Sequence, residues 1–233
     1  AVVLARVAVV LARVAVVLLL AACPLALCGA ALAQPAPALA DIAGRPDAAA
    51  IEAVASKGIL PPVSPGVFDP AGPISRAEFA AATQRTFALP PPAEPVAFAD
   101  VTPQTPDYAA IEAVAPYVLR ARGALCPTCM MSSNFAPAAT LPRLQSIALL
   151  TQILAVNGRL ALASPADSDT RLRDVADAKN LPAPARQLVA TALAGGIATL
   201  SAAGTLDAAT PLDRAGAAVL LDNVITKFSA PHP

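Results

Sequence analysis

Seven residues, AAIEAVA, stand at positions 49–55 and again, letter for letter, at 109–115. Each copy lies in a larger frame that is also repeated. An aspartate precedes it (Asp41, Asp100), and a glycine with an apolar neighbour follows. Then come a loop, a Phe-x-Pro at Phe68 or Phe135, and an arginine eight residues on, Arg76 or Arg143. The last part of the chain fits the same frame more loosely, with Asp174, Gly196-Ile197, Leu206 in place of the phenylalanine, and Arg214 eight residues later. A self-similar period of this size predicts units that cannot bury an apolar face alone and must share one core. The three units span 38–90, 95–157 and 170–228. A Pro-rich stretch, LPPPAEPV, joins the first two, and a polar one, NGRLALASPADSDT, joins the last two.

Within each unit the pattern reads helix, loop, helix. Asp47 to Lys57 is a run of good helix formers, and Gly58 stands where a left-handed residue would end it. The Pro- and Gly-dense loop PPVSPGVFDPAGP cannot be helical. Ser75-Arg76-Ala77-Glu78 is a capping box that starts the second helix, and this accounts for Glu78 as a cap. The equivalent helices start at Pro142-Arg143, with Pro near the first position, and at Asp213-Arg214, with Asp as the cap. Apolar faces at helical spacing follow. They are Phe79, Ala82, Thr83, Thr86 and Phe87; then Leu144, Ile147, Thr151 and Leu154; then Ala217, Leu220, Leu221, Val224, Ile225 and Phe228. The seven-residue repeat is the inward face of the first helix, with Ile51 and Val54, and Ile111 and Val114, at i and i+3. The fold class expected is mostly α. With 56% hydrophobic residues but only 3% aromatic and no Trp, the core must be built from Ala, Leu, Val and Ile.

The order of these features, and ISRAE at Ile74 to Glu78 in particular, resembles the S-layer homology (SLH) repeat with its ITRAE motif. The resemblance covers residues 38–228. It implies three SLH-like repeats in a pseudo-threefold arrangement. It also implies non-covalent binding of cell-wall glycans, often ones carrying a pyruvyl ketal, in grooves between repeats. Sites of this family often include an aromatic platform. This chain has no Trp, and its only tyrosines are Tyr108 and Tyr117.

Residues 1–33 read as a secretory signal peptide: Arg6 and Arg13, a long uncharged apolar run, and a small-x-small end at Ala31-Leu32-Ala33. The run is also long enough for a membrane anchor, and Leu20-Ala21-Ala22-Cys23 resembles a lipobox that would lipidate Cys23. The expected location is the periplasm or cell surface of a bacterium. Without residues 1–33 the chain carries two more acidic than basic residues and has no basic patch, which excludes nucleic acid as an expected partner. The partners expected are a cell-wall polysaccharide or peptidoglycan, or an envelope protein.

The best candidate ligand contacts are Arg76, Arg143 and Arg214, each in the first turn of a helix. A cation gains nothing from the helix dipole there, whereas a guanidinium beside exposed amides makes a place for a carboxylate. Gly58, Gly123 and Gly196 would either end helices or let a sugar approach the backbone. Asp41, Asp100 and Asp174 would cap the first helices, make turns, or line grooves. Cys126 and Cys129, in CPTC, are expected to form a local disulfide in an exported protein. A redox pair and a zinc site are the alternatives, but no βαβ pattern surrounds the pair and His232 is the lone histidine. Met130 and Met131 read as loop filling. No nucleophile–base pair, phosphate loop or metal set appears, so neither an enzyme nor a cofactor is expected. The readings that compete with glycan binding are a periplasmic thiol-disulfide protein and a structural envelope protein that holds another protein.

Overall fold

The computed structural model describes residues 38–96, 98–121 and 134–228. Among the described residues, seven α-helices carry the fold: α1 Ala48–Ser56, α2 Arg76–Phe87, α3 Tyr108–Arg120, α4 Arg143–Val156, α5 Pro165–Leu172, α6 Ala183–Ala194 and α7 Arg214–Phe228. Short 3-10 turns at Ala40–Ile42 and Ala178–Asn180 precede α1 and α6. Among the described residues the only β-type pairing is in isolated bridges. The 1–33 segment, Gly123, Cys126, Cys129, Met130, Met131 and His232 lie outside the described residues. No described helix is long and apolar enough to cross a membrane.

The helix ends follow the sequence signals. Gly58, at φ +66°, closes α1: its N–H donates to Ala55 O, and that of Ile59 donates to Val54 O. This is the paired bonding of a left-handed helix stop. Gly196, also at φ +66°, closes α6 in the same way. Ser75 and Glu78 form the reciprocal cap of α2, and Asp213 Oδ1 accepts the Gly216 N–H at 2.7 Å to cap α7. The joining segment SPADSDT is not a plain connection. Ser164 accepts the Asp167 N–H at 3.1 Å, Pro165 takes the first helical position, and α5 results. It packs on α6.

The order of packing is cyclic. α3 lies on α2, α6 on α4, and α1 on α7. The first helix of each segment therefore has its main partner in the segment before it, and the first segment closes on the last. Bridges tie the starts of the second helices in the same order: Ser75 with Thr140, Pro142 with Pro211, and Pro73 with Asp213. The faces read from the sequence point inward. Ile51, Val54, Ile111, Val114, Ile147, Leu154 and Leu221 are fully buried, while Thr86, Phe87, Ile225 and Phe228 are half-buried. The second copy of AAIEAVA is the more deeply buried, and the glutamate shows it most. Glu52 is exposed, whereas Glu112 is buried and accepts the Val96 N–H at 2.6 Å, which holds the Pro-rich joint onto α3.

Thr83 occupies the place in α2 that Leu150 holds in α4 and Leu221 in α7, seven residues after each arginine. It is fully buried, and its hydroxyl has no hydrogen-bond partner among the described residues. A buried donor left unmade costs about 1–3 kcal/mol. Thr83→Val keeps the shape and removes the hydroxyl. Its urea midpoint is expected to rise, by about 1 kcal/mol of stability, with an unchanged slope. A midpoint at or below that of the parent would contradict the assignment.

Candidate functional site

The site grows from three carboxylate clamps, each of which shapes the loop that faces a neighbouring segment. Asp41 accepts the N–H groups of Phe68 (3.0 Å) and Asp69 (2.7 Å), and Asp100 those of Phe135 and Ala136, both at 2.7 Å. In the third segment Asp177 does this work, with Leu206 N–H at 2.8 Å and Asp207 N–H at 3.0 Å, and not Asp174 as the sequence frame suggested. The register explains the difference. Ala176 N–H donates to Gly204 O just as Ala40 N–H donates to Gly66 O, so Ala176-Asp177-Ala178 matches Ala40-Asp41-Ile42 and Ala99-Asp100-Val101. None of the three carboxylates caps a helix.

Asp41 is held below the ordinary carboxyl range, first by the Phe68 N–H. The unfolded chain then takes up this proton at a higher pH than the folded one does. The clamp's contribution is complete above the unfolded value, near pH 4, and is lost as the pH falls through the lower folded value. Asp41→Asn is therefore expected to flatten the fall of unfolding free energy with pH below about pH 4. Denaturant titrations of both proteins across that range would show it, and an unchanged slope would refute it.

On each clamped loop sits an arginine from the preceding segment. Arg214 donates Nε to Phe68 O (2.8 Å), Nη2 to Pro61 O (2.6 Å) and Nη1 to Glu78 Oε1 (3.1 Å), and its guanidinium lies 4.8 Å from the Phe68 ring centre. Glu78 is thus more than a cap, since its second oxygen pairs with the third segment's arginine. Arg76 donates Nε to Phe135 O and Nη1 to Gln145 Oε1, both at 2.6 Å, and lies 5.2 Å from the Phe135 ring centre. Arg143 donates only Nη2, to Thr199 O at 3.2 Å. Burial lowers the pKa of all three, yet a guanidinium remains cationic. Among the described residues, only Arg214 of the three has a carboxylate at ion-pair distance.

The helix amides do not form the anion seat that the sequence suggested. The N–H groups of Arg76 and Ala77 donate to Ala139 O and Pro137 O. Those of Arg143 and Leu144 donate to Thr210 O and Ala208 O, and those of Arg214 and Ala215 to Gly72 O and Pro70 O. Loop carbonyls of the next segment consume them, because the same step round the ring is made three times. The two described glycines differ. A Cβ at Gly58 would meet nothing, whereas one at Gly196 would run into the Lys227 ammonium. Tyr108 and Tyr117 pack half-buried against the core and offer no open platform.

Two grooves flank this ring. One, of about 250 Å³, is lined by Pro61, Pro62, Glu78, Arg85, Asp107 and Arg214. The other, of about 390 Å³, is lined by Gln145, Asp177, Asn180, Asp207 and Thr210. Sequence reasoning missed Arg85, Asp107, Gln145 and Asn180. Arg85 had a signal. It stands nine residues after Arg76, as Asn223 does after Arg214, and each donates to the carbonyl that follows the helix-ending glycine, Ile59 O at 3.2 Å and Ile197 O at 3.1 Å. No described group of side chains has the composition of a metal site.

Residues 39–80 match the family model of the S-layer homology domain. No curated protein matches the chain. The matched stretch runs from the Asp41 clamp through α1 and the clamped loop to the capping box of α2. The clamp, the glycine stop and the capping box thus lie within a stretch of the chain that is similar to the S-layer homology domain.

Proposed function

We propose that this protein is an exported envelope module that captures an anionic cell-wall glycan, one bearing a carboxylate such as a pyruvyl ketal, in grooves between three SLH-like repeats at 38–90, 95–157 and 170–228. S-layer homology domains are binding modules that hold cell-wall polymers non-covalently in bacterial envelope proteins. One observation carries the finer reading. Among the described residues, the half-buried guanidiniums of Arg76 and Arg143 hydrogen-bond only to neutral oxygens. Asp100 lies near Arg76, and Asp207 and Asp213 near Arg143, but none at ion-pair distance, and a cation that has lost water without a direct counter-ion favours an anion brought from outside. Arg214 is already paired with Glu78, so its part is to shape the groove. Gly58 leaves backbone open beside the same loop.

The test is co-sedimentation with purified cell-wall sacculi, before and after mild acid removes ketal pyruvate. Retention is expected on intact sacculi and not on stripped ones. A doubly substituted protein, Arg76→Ala with Arg143→Ala, is expected to bind at least about tenfold more weakly, since a charge-assisted hydrogen bond is worth about 1.5–3 kcal/mol. Equal retention of the double variant would overturn the arginine role, and equal retention on stripped sacculi would overturn the carboxylate.

A further inference from the structure

We propose that only the junction between the second and third segments holds an open seat for an external carboxylate, with Arg143 receiving it and Gly216 leaving the seat empty. This rests on the glycan-binding reading above and narrows it to one place. The argument is an internal comparison. Each arginine reaches across to the next helix in the ring, at the residue two positions after that helix's own arginine. Arg214 reaches Glu78, and Arg76 reaches Gln145. The same step takes Arg143 to Gly216, which has no side chain. A Cβ built on Gly216 would stand 3.8 Å from Arg143 Nη1. A Glu or Gln there would bring its oxygen within reach of that nitrogen, as at the other two junctions.

At two junctions, then, a side-chain oxygen of the protein already sits on the guanidinium and acts as a built-in stand-in for a ligand. At the third, Nε and Nη1 of Arg143 have no acceptor among the described residues. The aromatic ring is missing there too, because Leu206 replaces Phe68 and Phe135, so the charge is offset only by Asp207 and Asp213, which lie nearby but not at ion-pair distance, Asp213 Oδ1 being turned to the Gly216 N–H. The amides at this helix start take no part, since they bond to Thr210 O, Ala208 O and Pro142 O. The group that fits is a single carboxylate on a saccharide, placed where the Glu78 carboxylate sits on Arg214.

Three single variants of the full chain, scored on intact sacculi beside the parent, test this. Gly216→Gln restores the internal oxygen and is expected to lower affinity at least about tenfold, as is Arg143→Ala. Gly216→Ala adds the methyl group and the pressure on the Asp213 cap without the oxygen, and is expected to stay within about threefold of the parent. Urea midpoints of all three report whether each is folded. Should Gly216→Gln bind like the parent, or Gly216→Ala lose binding as fully as Gly216→Gln while folded, the open seat is refuted and the glycan reading stands. If Arg143→Ala binds like the parent, the seat has been put at the wrong junction. A parent that ignores sacculi overturns the glycan reading itself.

Discussion

A chain cut after Pro211 is expected to lose cooperative structure throughout, with nothing left of its first two segments as a folded unit. The reason is the cyclic packing. α1 has its main partner in α7, so removing the last helix bares Ile51 and Val54 at the other end of the sequence. The first segment's loop loses Arg214 from the carbonyls of Phe68 and Pro61. Its bridge partner at Asp213 goes, as does the bond from Ile74 N–H to Leu212 O. α7 also buries Leu220, Leu221 and Val224 against α2 and α4. Full burial of each such side chain is worth about 1.5–3 kcal/mol, against a total of about 5–15 kcal/mol for a typical domain. The sum removed is of the order of the whole stability. Far-ultraviolet circular dichroism with a thermal scan checks this. A sharp transition with two-thirds of the parent's helical signal would show that the first segments stand alone, and would refute the interlock.

The same interlock explains what could be read in advance. Helices, their stops and their inward faces are local matters. AAIEAVA, Gly58 and the Ser75–Glu78 box announce themselves because capping and periodicity act within a few residues. Which helix covers which face is not local. A stripe such as Ile51 and Val54 says that something apolar lies opposite, and α7, from the far end of the chain, carries nothing in its sequence that names α1 as partner. The Asp174 expectation failed for a related reason. Asp174-Val175 looks like Asp41-Ile42 letter by letter, but the loop at Leu206 is reached by Asp177, three residues on, and only the tertiary register decides between them. α5 was missed because a short polar helix has little apolar periodicity, although Ser164-Pro165 and Asp167 were a cap in plain view. The arginines stand out in the sequence by position, but the account of their surroundings was partly wrong. Their position in the first turn was visible, but not that neighbouring carbonyls already hold the amides. Glu78, Gln145 and Gly216 were visible as letters, yet they acquire meaning only once the order round the ring is known.

Arg214→Ala is expected to destabilise the fold by about 3 kcal/mol, whereas Arg143→Ala costs less than about 1 kcal/mol, although the two residues hold the same place in the sequence frame. Arg214 is 3% exposed and satisfies two backbone carbonyls and one carboxylate. Without it Phe68 O and Pro61 O lose charged donors, and the contact with the Phe68 ring goes too. Glu78 softens the loss, because its side chain is 44% exposed and its carboxylate can turn to water. The estimate therefore sits at the low end of what breaking a buried pair costs. Arg143 has one long bond to Thr199 O, no ring and no carboxylate at ion-pair distance among the described residues, so the fold gains little from it. Urea titrations of both variants give the comparison directly. Equal losses would mean that the guanidinium of Arg143 serves the fold as much as that of Arg214 does, and would remove the ground for treating it as a place kept open for a ligand. A large loss at Arg214 alone would place two adjoining steps of one ring in opposite roles, one closed on the protein itself by Glu78 and the other left unfilled by Gly216.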